Sequence, residues 1–250
     1  KYGPELEDVI AFREKTAADL ADVERGDERI EELSAALLER EKRFLAACAQ
    51  LTDARRVLCK SFTEAVLAQL KELDMPKTRF KARMETAGEA AKLTARGADS
   101  VEFMISPNPG EPLKPLSSTA SGGELSRVML ALKAVIANRE QVGTMIFDEI
   151  DTGISGRTAQ VVGEKMAVIG MGRQVVAVSH LPQIAAMADA HYLVEKTVSG
   201  ERTGSSVRAL DEAERVEQLG AMIGGAGDLQ SGRTHAKNLL DAARLRKAQL

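Results

Sequence analysis

Three short stretches of the chain carry residues that could do chemistry. Thr144-Met-Ile-Phe-Asp-Glu-Ile-Asp151 is an apolar run that ends in Asp148 and Glu149 side by side, with Asp151 close behind. A strand that ends this way holds its carboxylates at the carboxyl edge of a sheet, where open α/β folds bind ligands. The first acid can hold Mg2+ directly or through water, and the second can orient and deprotonate a water molecule. A strand leaving into a polar turn would explain one acid here, but less easily three. The second stretch is Thr119-Ala-Ser-Gly-Gly-Glu-Leu-Ser-Arg127. Ser121, Gly122 and Gly123 ahead of a helix expose backbone N–H groups beside its positive dipole end, which suits an anion. The two glycines let a phosphate come close because no Cβ intervenes. With Glu124 in the first turn, the same residues also read as an ordinary helix start. The third stretch, Val176-Ala-Val-Ser-His180, is another apolar run with a polar end. A lone histidine is more often structural than catalytic. His191 and His235 have no supporting pattern and are taken as structural.

Regular elements must position these groups. Thr144–Phe147 and Gln174–Val178 read as short buried strands, with a helix around Gly156–Ile169 between them. Near-continuous apolar strands separated by a helix indicate a parallel α/β sheet. A helix over about 123–138 follows the Ser/Gly loop, and another spans about 182–188. Tyr192–Lys196 and Ser206–Leu210 predict a hairpin, and helices near 211–223 and 232–248 complete the chain.

The first third has a different texture. From about Glu5 to Glu72, Val9, Val23, Ile30, Leu37, Phe44, Leu51 and Leu58 recur every seven residues, broken only by Thr16. The row three residues on (Phe12, Asp19, Gly26, Leu33, Arg40, Ala47, Ala54, Ser61) is weaker, as in one imperfect coiled-coil strand. Such a helix cannot bury its own stripe, and the chain contains no second heptad run of similar length. Its partner helix is expected in sequence outside this chain or in another molecule. Pro76 ends the helical pattern, and Lys77, Arg79, Lys81 and Arg83 then alternate with Thr78, Phe80, Ala82 and Met84. A strand there presents four basic residues on one face, a candidate DNA contact or simply a solvated strand face. Residues 86–100 read as a loop, and Val101–Ser106 as a second strand stopped by Pro107-Asn-Pro-Gly110.

Composition excludes several classes. With 250 residues and a net charge of −3, no global charge argues for nucleic acid or membrane. Aromatics are 3%, too few for a base-stacking surface. Cys48 and Cys59 fit neither a disulfide framework nor a zinc site. No apolar run approaches the roughly 20 residues that span a bilayer. A chain that opens on Lys1 and runs at once into helical sequence is expected to be part of a longer protein.

The order of the motifs decides between these readings. Ser121 lies 27 residues before Asp148, and His180 lies 31 after Glu149. This series resembles the signature loop, Walker B strand, D-loop and switch histidine of ABC-type ATPases. Ser121–Arg127, Ile146–Gly156, Ser179–Asp189, His191–Lys196 and Met222–Gly225 are together similar to the RecN family, the bacterial DNA repair members of the SMC-like ATPases. None of the 20 glycines is followed by lysine, so the Gly-Lys of a phosphate-binding loop is absent. The resemblance implies an α/β fold, the carboxy-terminal lobe of an ABC-type P-loop ATPase head (75–250), preceded by a returning coiled-coil helix (1–74). It implies ATP and Mg2+ as cofactors, with Ser121, Gly122, Gly123 and Glu124 at the γ-phosphate held by another head. Asp148 would hold Mg2+, Glu149 would be the general base, Asp151 would bridge two heads, and His180 would bond the γ-phosphate or the water. It further implies DNA double-strand break repair and recombination in the cytoplasm, at the nucleoid. The implied partners are a second head in a homodimer, an amino-terminal lobe with its antiparallel coil helix, DNA, and the recombinase RecA. The fragment alone would be inactive. A transporter nucleotide-binding domain shares the motifs but gives no reason for the heptad arm. A structural coiled-coil protein with an inert head gives no reason for Glu149 and His180.

Overall fold

The computed structural model describes every residue except 1, 3–4, 88–92, 119–121, 138–141, 200–201 and 225–228. The heptad region forms one continuous helix, α1, over Leu6–Glu72. It stops where Asp74 adopts a left-handed backbone (φ 60°), just ahead of Pro76. Then follow β1 (Arg79–Thr86), β2 (Asp99–Ser106), β3 (Lys114–Pro115), a 3-10 turn (Leu116–Ser118) and α2 (Gly122–Ile136). The rest is β4 (Thr144–Phe147), α3 (Gly156–Gly170), β5 (Gln174–Ala177), α4 (Pro182–Ala186), β6 (Tyr192–Ser199), β7 (Arg202–Ala209), α5 (Glu212–Gly224) and α6 (Leu229–Lys247). The strands form three small sheets: β1-β2-β3, parallel β4-β5, and the β6-β7 hairpin.

Contacts divide the chain into two compact units, Lys1–Val57 with Met84–Ser100, and Leu58–Arg83 with Val101–Leu250. In the first, the heptad residues Val23, Ile30, Leu37 and Phe44 are all exposed, so none of the described residues covers that stripe. This unit is pinned by Asp99, whose side chain is 0% exposed. It accepts hydrogen bonds from the hydroxyls of Thr86 (2.8 Å) and Thr52 (2.9 and 3.0 Å) and from the Arg55 guanidinium (3.1 Å). Burial alone would raise the Asp99 pKa, but the bonds from Thr86, Thr52 and Arg55 outweigh it and hold the carboxyl below its ordinary range. Gly97 (φ 93°) turns the chain beside Leu51, where a Cβ would sit 3.0 Å from Leu51 Cδ2. Asp99 and Thr86 are thus strand residues, in a stretch whose polar composition predicts a loop.

In the second unit, Val66, Leu70 and Leu73 from the end of α1 join Phe80, Ile105, Val128, Leu130, Phe147, Ile150, Val162 and Ile169 in one core. Phe62, Phe80 and Phe103 pack against one another with ring centroids 5.5–6.3 Å apart. A smaller cluster joins Ala186 and Met187 to Leu219, Ala236 and Leu240 of the α5–α6 pair. There Gly220 and Gly232 allow close backbone contact, since a Cβ on Gly232 would lie 2.8 Å from the Gly220 carbonyl oxygen.

Two sequence-based expectations need correction. The two strands expected to be buried are so only in part: Met145 and Phe147 are buried, but Ile146 is 73% exposed and Val176 and Val178 are also exposed. Apolar strands register burial in the finished fold, and no element of the described residues covers this face. A groove of about 350 Å³ runs along it between α2 and β4. The second correction concerns β1, which begins at Arg79, so Lys77 lies in the turn before the strand.

Candidate functional site

Parallel pairing of β4 with β5 sets Phe147 opposite Ala177, and Val178 N–H donates to the Phe147 carbonyl (3.0 Å) one step further. The two strand ends therefore lie side by side, and Asp148-Glu149 and Ser179-His180 leave the same sheet edge. Asp148 and Glu149 are exposed there. Asp148 Oδ1 accepts the Glu149 N–H (2.9 Å), which fixes the first carboxylate at the strand end. Glu149 has φ 54°, a left-handed backbone that is uncommon outside glycine and costs about 1–3 kcal/mol. Among the described residues only Asp74 shares this feature without being glycine.

The loop after β4 is gripped by α2. Ser126 Oγ donates to the Asp148 carbonyl (2.9 Å), and Arg127 Nη1 donates to the Thr152 carbonyl (2.8 Å). The glycines at the start of α2 meet the same loop. A Cβ on Gly122 would lie 2.4 Å from Glu149 Oε2, and one on Gly123 would lie 2.7 Å from both Thr152 Cβ and the Thr152 carbonyl oxygen. Their bare faces thus admit Glu149 and Thr152 of the same lobe. Glu124 sits half-buried in this first turn. Ser121 lies outside the described residues. Arg127 is buried, and its Nε has no partner among the described residues. Burial lowers its pKa, and the charges of Glu124 and Asp74 partly offset the shift. An arginine inside the apolar run Leu125–Leu132 was the sequence signal for this grip, since a buried guanidinium must find carbonyls or carboxylates.

Asp151 turns inward. Its side chain is 2% exposed, and Oδ2 accepts from Ser179 Oγ (2.6 Å) and from the His180 backbone N–H (2.7 Å). The His180 Nδ1 lies 3.1 Å from the same oxygen, while the ring as a whole is 76% exposed. Ser179, which sequence reasoning did not single out, is the hinge of this arrangement. Arg215, another buried arginine, donates to the carbonyl of Ala188 (2.9 Å) just beyond α4. His191 is half-buried, and burial followed by the Arg215 charge lowers its pKa. His235 lies in α6, away from the motif residues in sequence.

The basic row on β1 is partly engaged. Arg79, Lys81 and Arg83 are exposed and alternate with buried Phe80 and Ala82. Arg79 donates to Ser106 Oγ (3.3 Å) and to the Glu111 carbonyl, and Arg83 pairs with Glu102 (2.7 Å). No cluster of three or more metal-binding side chains occurs among the described residues. No helix among them is long and apolar enough to cross a membrane.

No protein-family model matches the chain. Its sequence is 41% identical over 244 residues to the DNA repair protein RecN of Halalkalibacterium halodurans, covering 97% of this chain and 43% of that protein. It is 39% identical over 255 residues to RecN of Bacillus subtilis (97% and 44%) and 44% identical over 203 residues to RecN of Streptomyces coelicolor (78% and 36%). The chain thus spans less than half the length of the curated relatives it matches. Its fold is similar to part of an Smc head domain with a coiled coil and joint from Pyrococcus yayanosii, at a TM-score of 0.55 and 15% identity over 96% of this chain and 39% of that one.

Proposed function

For a chain whose sequence belongs with the RecN proteins over the span they share, we propose that it forms one lobe of a split, SMC-like ATPase head acting in DNA repair. The observation that carries this reading is the pairing of β4 with β5. It puts Asp148, Glu149 and His180 at one sheet edge, next to the glycine turn of α2, in a chain without a Gly-Lys phosphate loop. In this reading residues 1–74 are the returning coiled-coil arm and 75–250 the carboxy-terminal lobe. The exposed sheet face of Ile146, Val176 and Val178 is what the amino-terminal lobe would cover.

The lobe's residues fit half of a nucleotide site. Asp148 commits one oxygen to the Glu149 N–H and is exposed, which suits a supporting role toward Mg2+. Asp148 would be one donor among several, with the nucleotide phosphates and water supplying others. ATP, when bound, supplies the phosphoryl group. Glu149 then takes the proton of the attacking water, and Asp148 steadies it through its own backbone link. In this reading the first turn of α2, at Gly122 and Gly123, would offer helix-terminal N–H groups to the γ-phosphate of a nucleotide held by a second head, with Ser121 next to them in sequence. His180 reaches the same site from the end of β5. Head engagement across ATP makes the working unit a dimer, with DNA and RecA as partners in the cytoplasm.

The test is Glu149→Gln in the complete protein. ATP binding should survive while turnover falls by about 10²–10⁴-fold, since an amide cannot accept the water's proton. Turnover at the wild-type rate would remove Glu149 from the role of base.

A further inference from the structure

Asp151 follows the Asp148-Glu149 pair in the motif, and its surroundings are specific. Three groups converge on one of its two oxygens. The His180 backbone N–H can only donate, and it reaches Oδ2 at 2.7 Å. The Ser179 hydroxyl accepts the Leu181 N–H (3.1 Å), which leaves its own proton directed to Oδ2 at 2.6 Å. This oxygen is therefore an acceptor held in place by two donors that do not depend on the imidazole. His180 Nδ1 stands 3.1 Å from it. A neutral imidazole carries one N–H and one lone pair, and a neighbouring acceptor selects which nitrogen keeps the proton.

We infer that Asp151 is a positioning residue for His180: it holds the neutral ring as the Nδ1–H tautomer and presents the Nε2 lone pair to the ATP site. The inference rests on the ATPase reading for the meaning of that site, but the geometry itself lies within this lobe. An Nε2 lone pair accepts a hydrogen bond. In the neutral ring its partner is therefore the attacking water, which can donate, and not a phosphate oxygen, which cannot. The logic matches that of other catalytic histidines, where a buried carboxylate on one nitrogen fixes the tautomer at the other. Because the Ser179 hydroxyl and the His180 N–H both donate to this one oxygen, and the ring nitrogen stands beside it, an asparagine should keep its carbonyl oxygen there. The reverse orientation would set its NH2 against both donors.

The experiment uses the complete protein with 15N-labelled histidine at about pH 8, above the ordinary histidine range. The His180 signals are assigned by their loss in His180→Gln. Wild type should show protonated Nδ1 and unprotonated Nε2, Asp151→Asn should keep that pattern, and Asp151→Ala should lose it. In turnover, Asp151→Ala should lower kcat by about tenfold or more with the ATP KM within about twofold, and Asp151→Asn should rescue most of the loss. In a His180→Gln background, Asp151→Ala should cost nothing further, since both act through one ring. A dominant Nε2–H tautomer in the wild type would overturn the inference without any variant. So would an Asp151→Ala loss that is equally large without His180. A wild-type protein that does not hydrolyse ATP would instead overturn the ATPase reading, and the spectrum would still decide the tautomer.

Discussion

Asp99 and Asp151 are both buried carboxylates, each ringed by donors, and the comparison shows what burial does and does not imply. Around Asp99 stand two threonine hydroxyls and an arginine, all drawn from elements of the arm unit and all ending there. That arrangement is a clamp: it holds α1 to Thr86 and Asp99, and although Thr86 is exposed and Arg55 half-buried, both donate to the carboxylate. Around Asp151 stand a serine, a backbone N–H and a histidine ring that remains mostly exposed. Here the carboxylate is the inner end of a chain of contacts whose outer end is free to meet a ligand. The difference lies in what the outward partner can still do: the Thr86 hydroxyl is spent on Asp99, whereas the His180 ring keeps a second nitrogen for a ligand.

The largest effect that separates the two regions should come from the outward-facing edge. Glu149→Gln removes the proton acceptor and should cost turnover by about 10²–10⁴-fold without lowering thermal stability, as activity and melting measured together would show. A matching loss of stability would make Glu149 structural, like Asp99. At Asp99 the expectation reverses. Asp99→Ala leaves Arg55 and two hydroxyls without their acceptor and should destabilise the arm unit by about 2–4 kcal/mol. Urea unfolding followed by helix signal would measure this, with turnover per folded molecule within about twofold of wild type. A kinetic loss as large as that of Glu149→Gln would erase the distinction.

The pH dependence sharpens the same contrast. Asp99 has a folded pKa below its unfolded value of about 3.9, so its stabilisation is complete above that value and is lost as pH falls through the folded value. Wild type should therefore lose stability between about pH 5 and the acid limit more steeply than Asp99→Asn, whose curve should be flatter there. Parallel acid profiles would contradict the clamp.

Much of this was legible in the sequence because local pattern fixes it. The heptad row gave α1, and the apolar runs ending at Phe147 and Ala177 gave the strands that place Glu149 and His180. Long-range pairing was not legible. Nothing near Thr52 signals Asp99, which lies 47 residues away, and Ser179 carries no pattern that marks it as the partner of Asp151. The exposed face of β4 and β5 was misjudged because an apolar strand shows that a face will be covered, not which segment covers it. Ser121 stays an expectation from its motif alone.

The basic row is the smallest expected effect. Arg79 and Arg83 already serve Ser106, Glu111 and Glu102, which leaves Lys77 and Lys81 as the members most available to phosphates. Replacing all four with Ala in the complete protein should flatten the slope of log DNA affinity against log salt by about two units, at about 0.9 per phosphate. An unchanged slope with the protein still folded would return the row to a solvated strand face.

The central claim is that this chain holds one half of an ATP site. It is tested most directly by measuring ATP turnover of the 250-residue chain alone, and again with the separately purified amino-terminal lobe added. The account predicts no turnover above a Glu149→Gln control for the chain alone, and turnover that appears with the second lobe and vanishes again in Glu149→Gln. Hydrolysis by the chain alone above that control would contradict it, and so would a complete pair of lobes that never hydrolyses ATP.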